Sequence, residues 1–418
     1  MVYVLTADDA VTTAMTDYIE RGIQLAEDGR AEAAVIRLNT PGGDLTATIR
    51  IMEQLDNARV PIIIFVWPRG GMAASAGTLM LLAAHGAAMA PHTTIGAAHP
   101  VVSGAREGDI PSDQIEKVVN VMVEHAGLFA ERRGQAAVEW AEQAIRESAT
   151  AGPEEALELG VIDYIADDMD DLLTGLDGLA VTLGDGTELT LHTTDAVIKE
   201  IPMSPIERLL STLINPNIAF LLLTIGVQAI LIEISAPGGW VAGFIGALCL
   251  ALAAYALGAL PFNWLGLVLI GVSFVLFLLD IKAPTHGALT AAGAGTFIAG
   301  ALILFNTPMS YSYGRLSVPL VAVVAVMTAL FFFFVVTKAL TAQRPPSVTG
   351  KEGLIGRTGV VKDQLDPEGI VLVAGERWKA ISEEGPIEVE EQVEVTEVEG
   401  FRLHVRRRSQ HRQTGEER

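Results

Sequence analysis

Cysteine is nearly missing from this 418-residue chain: one occurs, Cys249, inside an apolar run. No intramolecular disulfide and no CxxC pair can form, thiol chemistry is not expected, and cysteine usage says nothing about compartment. The sequence also has no HExxH, no Cys/His cluster and no P-loop, so neither a metal nor a cofactor is expected. Charge is scarce and lopsided, with 50 acidic against 28 basic side chains and a net charge of −22. Residues 1–200 hold 32 Asp and Glu against 12 Lys and Arg, a balance of −20. An acidic surface of this kind repels phosphate backbones, which argues against a nucleic-acid partner. The Arg406–Arg408 run near the far end is read as a solvated tail. The opening MVYVLTADDA is strand-like, with neither a basic n-region nor an apolar h-region. Targeting is therefore expected from the first transmembrane helix or from a signal outside this sequence.

What the chain has in abundance is apolar residues, 50% of the total, unevenly spread. Up to residue 198, short β-rich runs (VYVL, AAVIRL, PIIIFVW, GAAMA) alternate with Gly-rich turns and helical stretches. That pattern predicts an α/β domain with mostly parallel strands. Helices are expected over 44–57, 76–85, 111–133 and 136–146, then PEEALELG before the strand VIDYIA, and a closing hairpin in LGDGTELTLH. Residues 199–216 read as a linker ending in an interfacial helix.

Between 217 and 340, five apolar stretches have about the length a helix needs to cross a bilayer. The fourth, HGALTAAGAGTFIAGALILF, is rich in Gly and Ala and suits a re-entrant or closely packed helix. An odd count puts the two soluble ends on opposite sides. Lys338, Arg344 and Lys351 after the last span place the tail in the cytoplasm and the N-terminal domain outside, in a multi-pass plasma-membrane protein. After a linker at 341–349, residues 350–408 read as short strands divided by Gly and Pro, a small all-β barrel of the OB type, with a disordered tail at 409–418. Few aromatics and many acids favour protein interaction there over nucleic acid.

Three features of the α/β part could carry chemistry. NTPGG, residues 39–43, ends a strand and enters a helix, and Gly42 and Gly43 free backbone N–H groups to face an oxyanion; a plain tight turn is the alternative. Ser75 follows the next strand and opens the next helix among Gly70, Gly71, Ala73, Ala74, Ala76 and Gly77. It is either a helix cap or a nucleophile, and small neighbours leave room for a substrate backbone while the Ala76 N–H offers a second oxyanion donor. Lys117 is the one lysine in residues 1–198. A lysine shielded from water can act as a general base where arginine cannot, although pairing with Asp113 or Glu116 on the surface is an equal reading. His99 competes as the base, with Glu147 or Glu154 to orient it. His85, His92 and His125 read as structural or exposed.

The ordered series NTPGG, VPIIIFVWPRGGMAASAGT, MAPHTTIGAAHPV, EKVVN and EEALELGVID, with the ending LDPEGIVLVAGERWKA, resembles the long form of the NfeD family over essentially the whole chain. That resemblance implies a membrane-bound serine peptidase with a ClpP/crotonase-like domain, a transmembrane region and an OB-type domain. It implies a Ser-Lys dyad of Ser75 and Lys117, hydrophobic segments of membrane proteins as substrates, a stomatin-like partner docked on the OB-type domain, and a homo-oligomer. Soluble Clp proteases use Ser-His-Asp, which keeps His99 as the alternative base, and a non-proteolytic membrane scaffold for stomatin-like proteins is the alternative from a different class. The family's usual N-terminal signal sequence is not seen here, and the acidity exceeds the family's habit.

Overall fold

The structure, a computed structural model, describes residues 1–100, 112–235, 239–282, 285, 287–307, 313–342 and 351–408. The expected helix start at Pro111, most of the 341–349 linker and the 409–418 tail lie outside these residues. Two compact units form, residues 1–333 and 334–418.

The first unit opens with β1 (Val2–Asp8), α1 (Thr13–Asp28), β2 (Ala33–Asn39), α2 (Leu45–Asp56) and β3 (Ile62–Val66). Next come β4 (Met72–Ala74), α3 (Ala76–Ala83), β5 (Gly86–Met89), β6 (Thr94–Gly96), α4 (Ser112–Ala130) and α5 (Gln135–Arg146). The domain ends with β7 (Thr150–Ala151), α6 (Pro153–Glu158), β8 (Tyr164–Ile165), α7 (Met169–Gly175), β9 (Ala180–Thr182), β10 (Glu188–Thr190) and β11 (Ile198–Glu200). Strands β11-β1-β2-β3-β5-β8 make one sheet in that order, every neighbouring pair parallel. A parallel sheet is covered on both faces, which is why β3 (IIIFV) is buried at all five positions instead of alternating. A second small sheet, β4-β6-β7, carries the chain across the end of the first. Parallel β-α units plus this crossing sheet are the ClpP/crotonase-like arrangement that the resemblance implies. The hairpin expected in LGDGTELTLH is the antiparallel pair β9–β10.

Residues 199–216, read from sequence as a linker, contain the end of β11 and α8 (Pro205–Leu213). Helix α8 starts with a capping box between Ser204 and Glu207, and Glu207 takes a two-point bond from Arg21 on α1 at 2.7 and 2.8 Å. The Tyr18 hydroxyl adds a bond to the Ile201 carbonyl at 2.6 Å. The connection is thus fastened along α1.

All five apolar stretches form helices: α9 (Pro216–Ser235), α10 (Val241–Ala259), α11 (Trp264–Lys282), α12 (Ala288–Leu304) and α13, Val318–Ala342. Among the described residues, α9 and α10 are long and apolar enough to cross a membrane. Phenylalanines 220, 274, 277, 297 and 332 fill the bundle centre, while Phe244, Val268 and Val326 point outward, more than half exposed, as side chains facing lipid do. The Gly/Ala-rich α12 is a closely packed helix. A Cβ on Gly300 would come within 2.9 Å of the Gly266 carbonyl on α11, so only glycine permits this approach.

The second unit folds as a closed barrel of β12 (Thr358–Asp363), β13 (Glu368–Val373), β14 (Glu376–Ser382), β15 (Gln392–Glu399) and β16 (Arg402–Arg407), around a core that includes Val361, Val371, Val393 and Leu403. Strands β14 and β16 are parallel and all other pairs antiparallel, which is the OB-fold strand order.

A candidate peptidase site at the start of helix α3

The site is built where β2 and β3 end. The chain leaves β2 through Thr40, whose amide donates to the Met72 carbonyl at 2.7 Å and whose carbonyl accepts the Ala74 amide at 3.0 Å. The NTPGG turn therefore lies alongside β4, the strand that delivers Ser75. Val11, in the β1–α1 connection, clamps the turn from its other side: its amide donates to the Gly42 carbonyl at 2.8 Å and its carbonyl accepts the Asp44 amide at 2.9 Å. The clamp requires glycine at 43, since a Cβ there would lie 2.2 Å from the Val11 oxygen. The Gly42 amide is engaged by the Thr40 hydroxyl at 3.2 Å. The amides of Gly43 and Ala76 have no acceptor among the described residues.

Ser75 has φ 53° and ψ −111°, a left-handed-side backbone that L-residues avoid at a cost of roughly 1–3 kcal/mol unless neighbours impose it. Here they do. The Ser75 amide donates to the Gly96 carbonyl at 2.8 Å, and the Ser75 carbonyl accepts the amides of Thr78 and Leu79 as the first turn of α3. Thr78, fully buried, shares its hydroxyl proton between the carbonyls of Ala73 (2.8 Å) and Gly96 (3.0 Å) and accepts the Gly96 amide at 2.8 Å. Ser75 stands at the N-cap of α3, yet its hydroxyl makes no capping bond. The turn beside β4 and the start of α3 thus leave the Gly43 and Ala76 amides unpaired among the described residues, a donor type that suits a developing oxyanion.

Lys117 lies on α4 with its side chain 76% exposed and its Nζ 3.5 Å from Asp113 Oδ2. It does not hydrogen-bond to Ser75 in this structure. It lines an apolar groove of about 280 Å³ together with Leu45, Ile49 and Met52 of α2, Leu79 of α3 and Val121 of α4. Leu79 is one helical turn beyond Ser75, so the groove reaches the helix that the serine begins and carries the lysine on its wall.

His99 turns its Nδ1 to the Ile145 carbonyl at 2.9 Å, and among the described residues neither Glu147 nor Glu154 bonds to it. A carbonyl can fix the tautomer but does not stabilise an imidazolium as the acid of a Ser-His-acid triad does. His85 is a core residue: it accepts the Ile62 amide at 3.0 Å, and burial pushes its pKa down to about 4, so it stays neutral. His92 meets Arg69 at 2.9 Å, and His125 lines the groove. Among the described residues no cluster of three or more metal-ligating side chains occurs. Sequence reasoning missed Val11 and Thr78. Thr78 was within reach, as a hydroxyl three residues after Ser75; Val11 carries no signal, because it acts through its backbone.

Known proteins resemble the chain along its whole length. Three family profiles tile it in order: the NfeD1b N-terminal domain at 1–181, the NfeD integral membrane domain at 217–338, and the NfeD-like C-terminal, partner-binding domain at 351–407. The membrane-bound protease PH1510 of Pyrococcus horikoshii is 35% identical over 412 residues, spanning 97% of this chain and 93% of the relative. The membrane protein NfeD1b of Bacillus subtilis is 26% identical over 430 residues, 97% of this chain and 92% of the relative. Among solved structures, a lysine-to-alanine mutant of the 1510-N membrane-bound stomatin-specific protease, in complex with a substrate peptide, is 33% identical. It covers 51% of this chain and 96% of that one, with a TM-score of 0.47. Because the agreement runs from end to end, and not through isolated motifs, the chain belongs to the NfeD family of membrane-bound proteins.

Proposed function

We propose that this protein is a membrane-bound serine endopeptidase that cleaves hydrophobic segments of membrane-associated proteins with Ser75 as nucleophile and Lys117 as base. The observation that carries the reading is the backbone of Ser75, held at positive φ by hydrogen bonds with Gly96, Thr78 and Leu79 while its hydroxyl is kept out of the capping role. A strand-to-helix turn of this kind is how a nucleophile is presented above a sheet. The full-length relative named a membrane-bound protease supports it.

In the reaction, neutral Lys117 takes the Ser75 proton as Oγ attacks the scissile carbonyl, and the Gly43 and Ala76 amides, with Gly42 shaping the turn, hold the oxyanion. Collapse expels the amine, which takes the proton back from the lysine; water then cleaves the acyl ester by the same proton path. A lysine serves as base only when neutral, and removing water from around it favours that form. An apolar substrate side chain seated in the groove excludes water from Lys117, and the dyad assembles when the lysine exchanges Asp113 for Ser75 in the substrate complex. The barrel, matched by a partner-binding profile, docks a stomatin-like membrane protein. Five helices cross the plasma membrane, with the peptidase domain outside and the barrel in the cytoplasm, in a homo-oligomer.

The test is cleavage of a hydrophobic peptide by the reconstituted full chain and by Ser75→Ala, Lys117→Ala and His99→Ala. Loss with the first two and retention with the third is expected. Equal cleavage by Ser75→Ala would overturn the peptidase reading, and loss confined to His99→Ala would replace the dyad.

A further inference from the structure

The peptidase domain meets the helical region at a contact beside the β1–α1 connection, next to the NTPGG turn. Tyr313, in the connection between α12 and α13, is buried to 8% exposure and belongs to the same apolar cluster as Ala10 and Ala14 of the peptidase domain and Ile214 of the α8–α9 junction. Tyr313, Asp9, Ala10 and Thr12 line one cavity of about 30 Å³. Burial pushes the Tyr313 phenol up to about 12, and the charge of Asp44, the residue after Gly43, adds to the shift. The ring thus lies against the β1–α1 connection and near the end of the NTPGG turn. The segment that follows Tyr313 is held by Asn217 at the start of α9, which accepts the Ser317 amide at 2.8 Å and donates to the Arg315 carbonyl at 3.5 Å.

The next residue after Ala10 is Val11, the residue whose two backbone bonds clamp Gly42 and Asp44 and whose oxygen forbids any side chain at Gly43. We infer that Tyr313 is a positioning residue: packed under Ala10, it fixes Val11 and through Val11 the Gly43 amide, so that the helical region sets the geometry of the oxyanion site. The inference rests on the peptidase reading for its catalytic consequence, but the clamp itself is a physical arrangement that can be measured without catalysis. A donor is useful only while it stays within a few tenths of an ångström of its hydrogen-bonding position toward the developing oxyanion, so slackening this support acts on the chemical step and leaves the substrate groove, on α2, α3 and α4, as it was. A state of the helical region that withdrew Tyr313 would lower turnover without touching Ser75 or Lys117.

The experiment compares the full-length protein in lipid nanodiscs with Tyr313→Ala, Tyr313→Phe and Asn217→Ala. It reads kcat and KM on a hydrophobic peptide, and hydrogen exchange at the amides of Val11 and Asp44 with the β2–β3 ladder as control. Tyr313→Ala should lower kcat about tenfold with KM within about twofold, since a donor slightly out of place costs rate more than binding, and should speed exchange at Val11 and Asp44 but not in the ladder. Tyr313→Phe, which keeps the ring, should behave as wild type. Asn217→Ala, which loosens the segment and leaves the ring, should give a smaller effect at the same two amides. Unchanged exchange at Val11 and Asp44 in both loosened variants, or acceleration spread equally over the ladder, would overturn the inference. Should the wild type show no Ser75-dependent cleavage, the peptidase reading fails by itself and the exchange comparison still decides the clamp.

Discussion

Thr78 accepts the Gly96 amide at 2.8 Å, so the strand beside Ser75 is pinned from within the helix that Ser75 begins. The same hydroxyl holds the Ala73 carbonyl two residues ahead of the serine. One buried side chain therefore fixes both flanks of the proposed nucleophile.

Replacing that hydroxyl by a methyl leaves the shape and removes the pin. Thr78→Val should cost about 1–3 kcal/mol of stability, the usual penalty for leaving a buried amide, here that of Gly96, unpaired. It should also slow labelling of Ser75 by a serine-reactive phosphonate, with Thr78→Ser close to wild type in both respects. Denaturant titration and labelling rates check the two halves separately, and a Thr78→Val protein that labels at the wild-type rate would show that Ser75 is positioned by other means.

Val121 lines the groove yet is 56% exposed, so a charge placed there meets water in the free protein and substrate in the complex. Val121→Glu should leave the melting temperature nearly unchanged and raise KM for an apolar peptide by about tenfold or more, as burial of one apolar side chain contributes roughly 1.5–3 kcal/mol. A charged peptide should not show the same loss. Steady-state kinetics on the two peptides measures the difference.

His85 makes stability depend on pH with a definite sign. Its folded pKa is depressed to about 4 by burial, while an unfolded histidine titrates near about 6.5. Between those values the unfolded chain binds a proton that the folded chain does not, so stability is full above pH of about 6.5 and falls as pH drops toward 4, by up to about 3 kcal/mol. His85→Asn, which can still accept the Ile62 amide, should flatten that slope. Thermal melts of the two proteins across this window provide the comparison.

Much of this layout is legible in the sequence because burial leaves a strong pattern. Buried parallel strands read as unbroken apolar runs, as in IIIFV, and lipid-facing helices as long ones, as in residues 241–259. Strands β4, β6 and β7 are two or three residues long and carry no periodicity, yet they place Ser75. Helix α1 escaped notice because its apolar residues are mixed with Thr, Asp, Glu and Arg, and β11 because Ile-Lys-Glu at an exposed sheet edge looks like linker. At the site, Ser75 and Lys117 stand out by residue type and neighbours. The pairing of Lys117 with Asp113 was one of two readings of an i,i+4 spacing, and the sequence does not choose between a surface pair and a base at rest. The Val11 clamp is written in backbone atoms, which residue types do not encode.

The five strands of the C-terminal unit close on themselves, with β15 bonded to both β12 and β16 and β14 bonded to β13 and β16. Among the described residues no strand has one side free along its whole length, which leaves little edge for a partner to extend with a strand of its own. Side chains on the outside of the barrel and the loops at its ends are the larger surface on offer. Partner choice can then change by surface substitution alone, with the register of every strand left as it is.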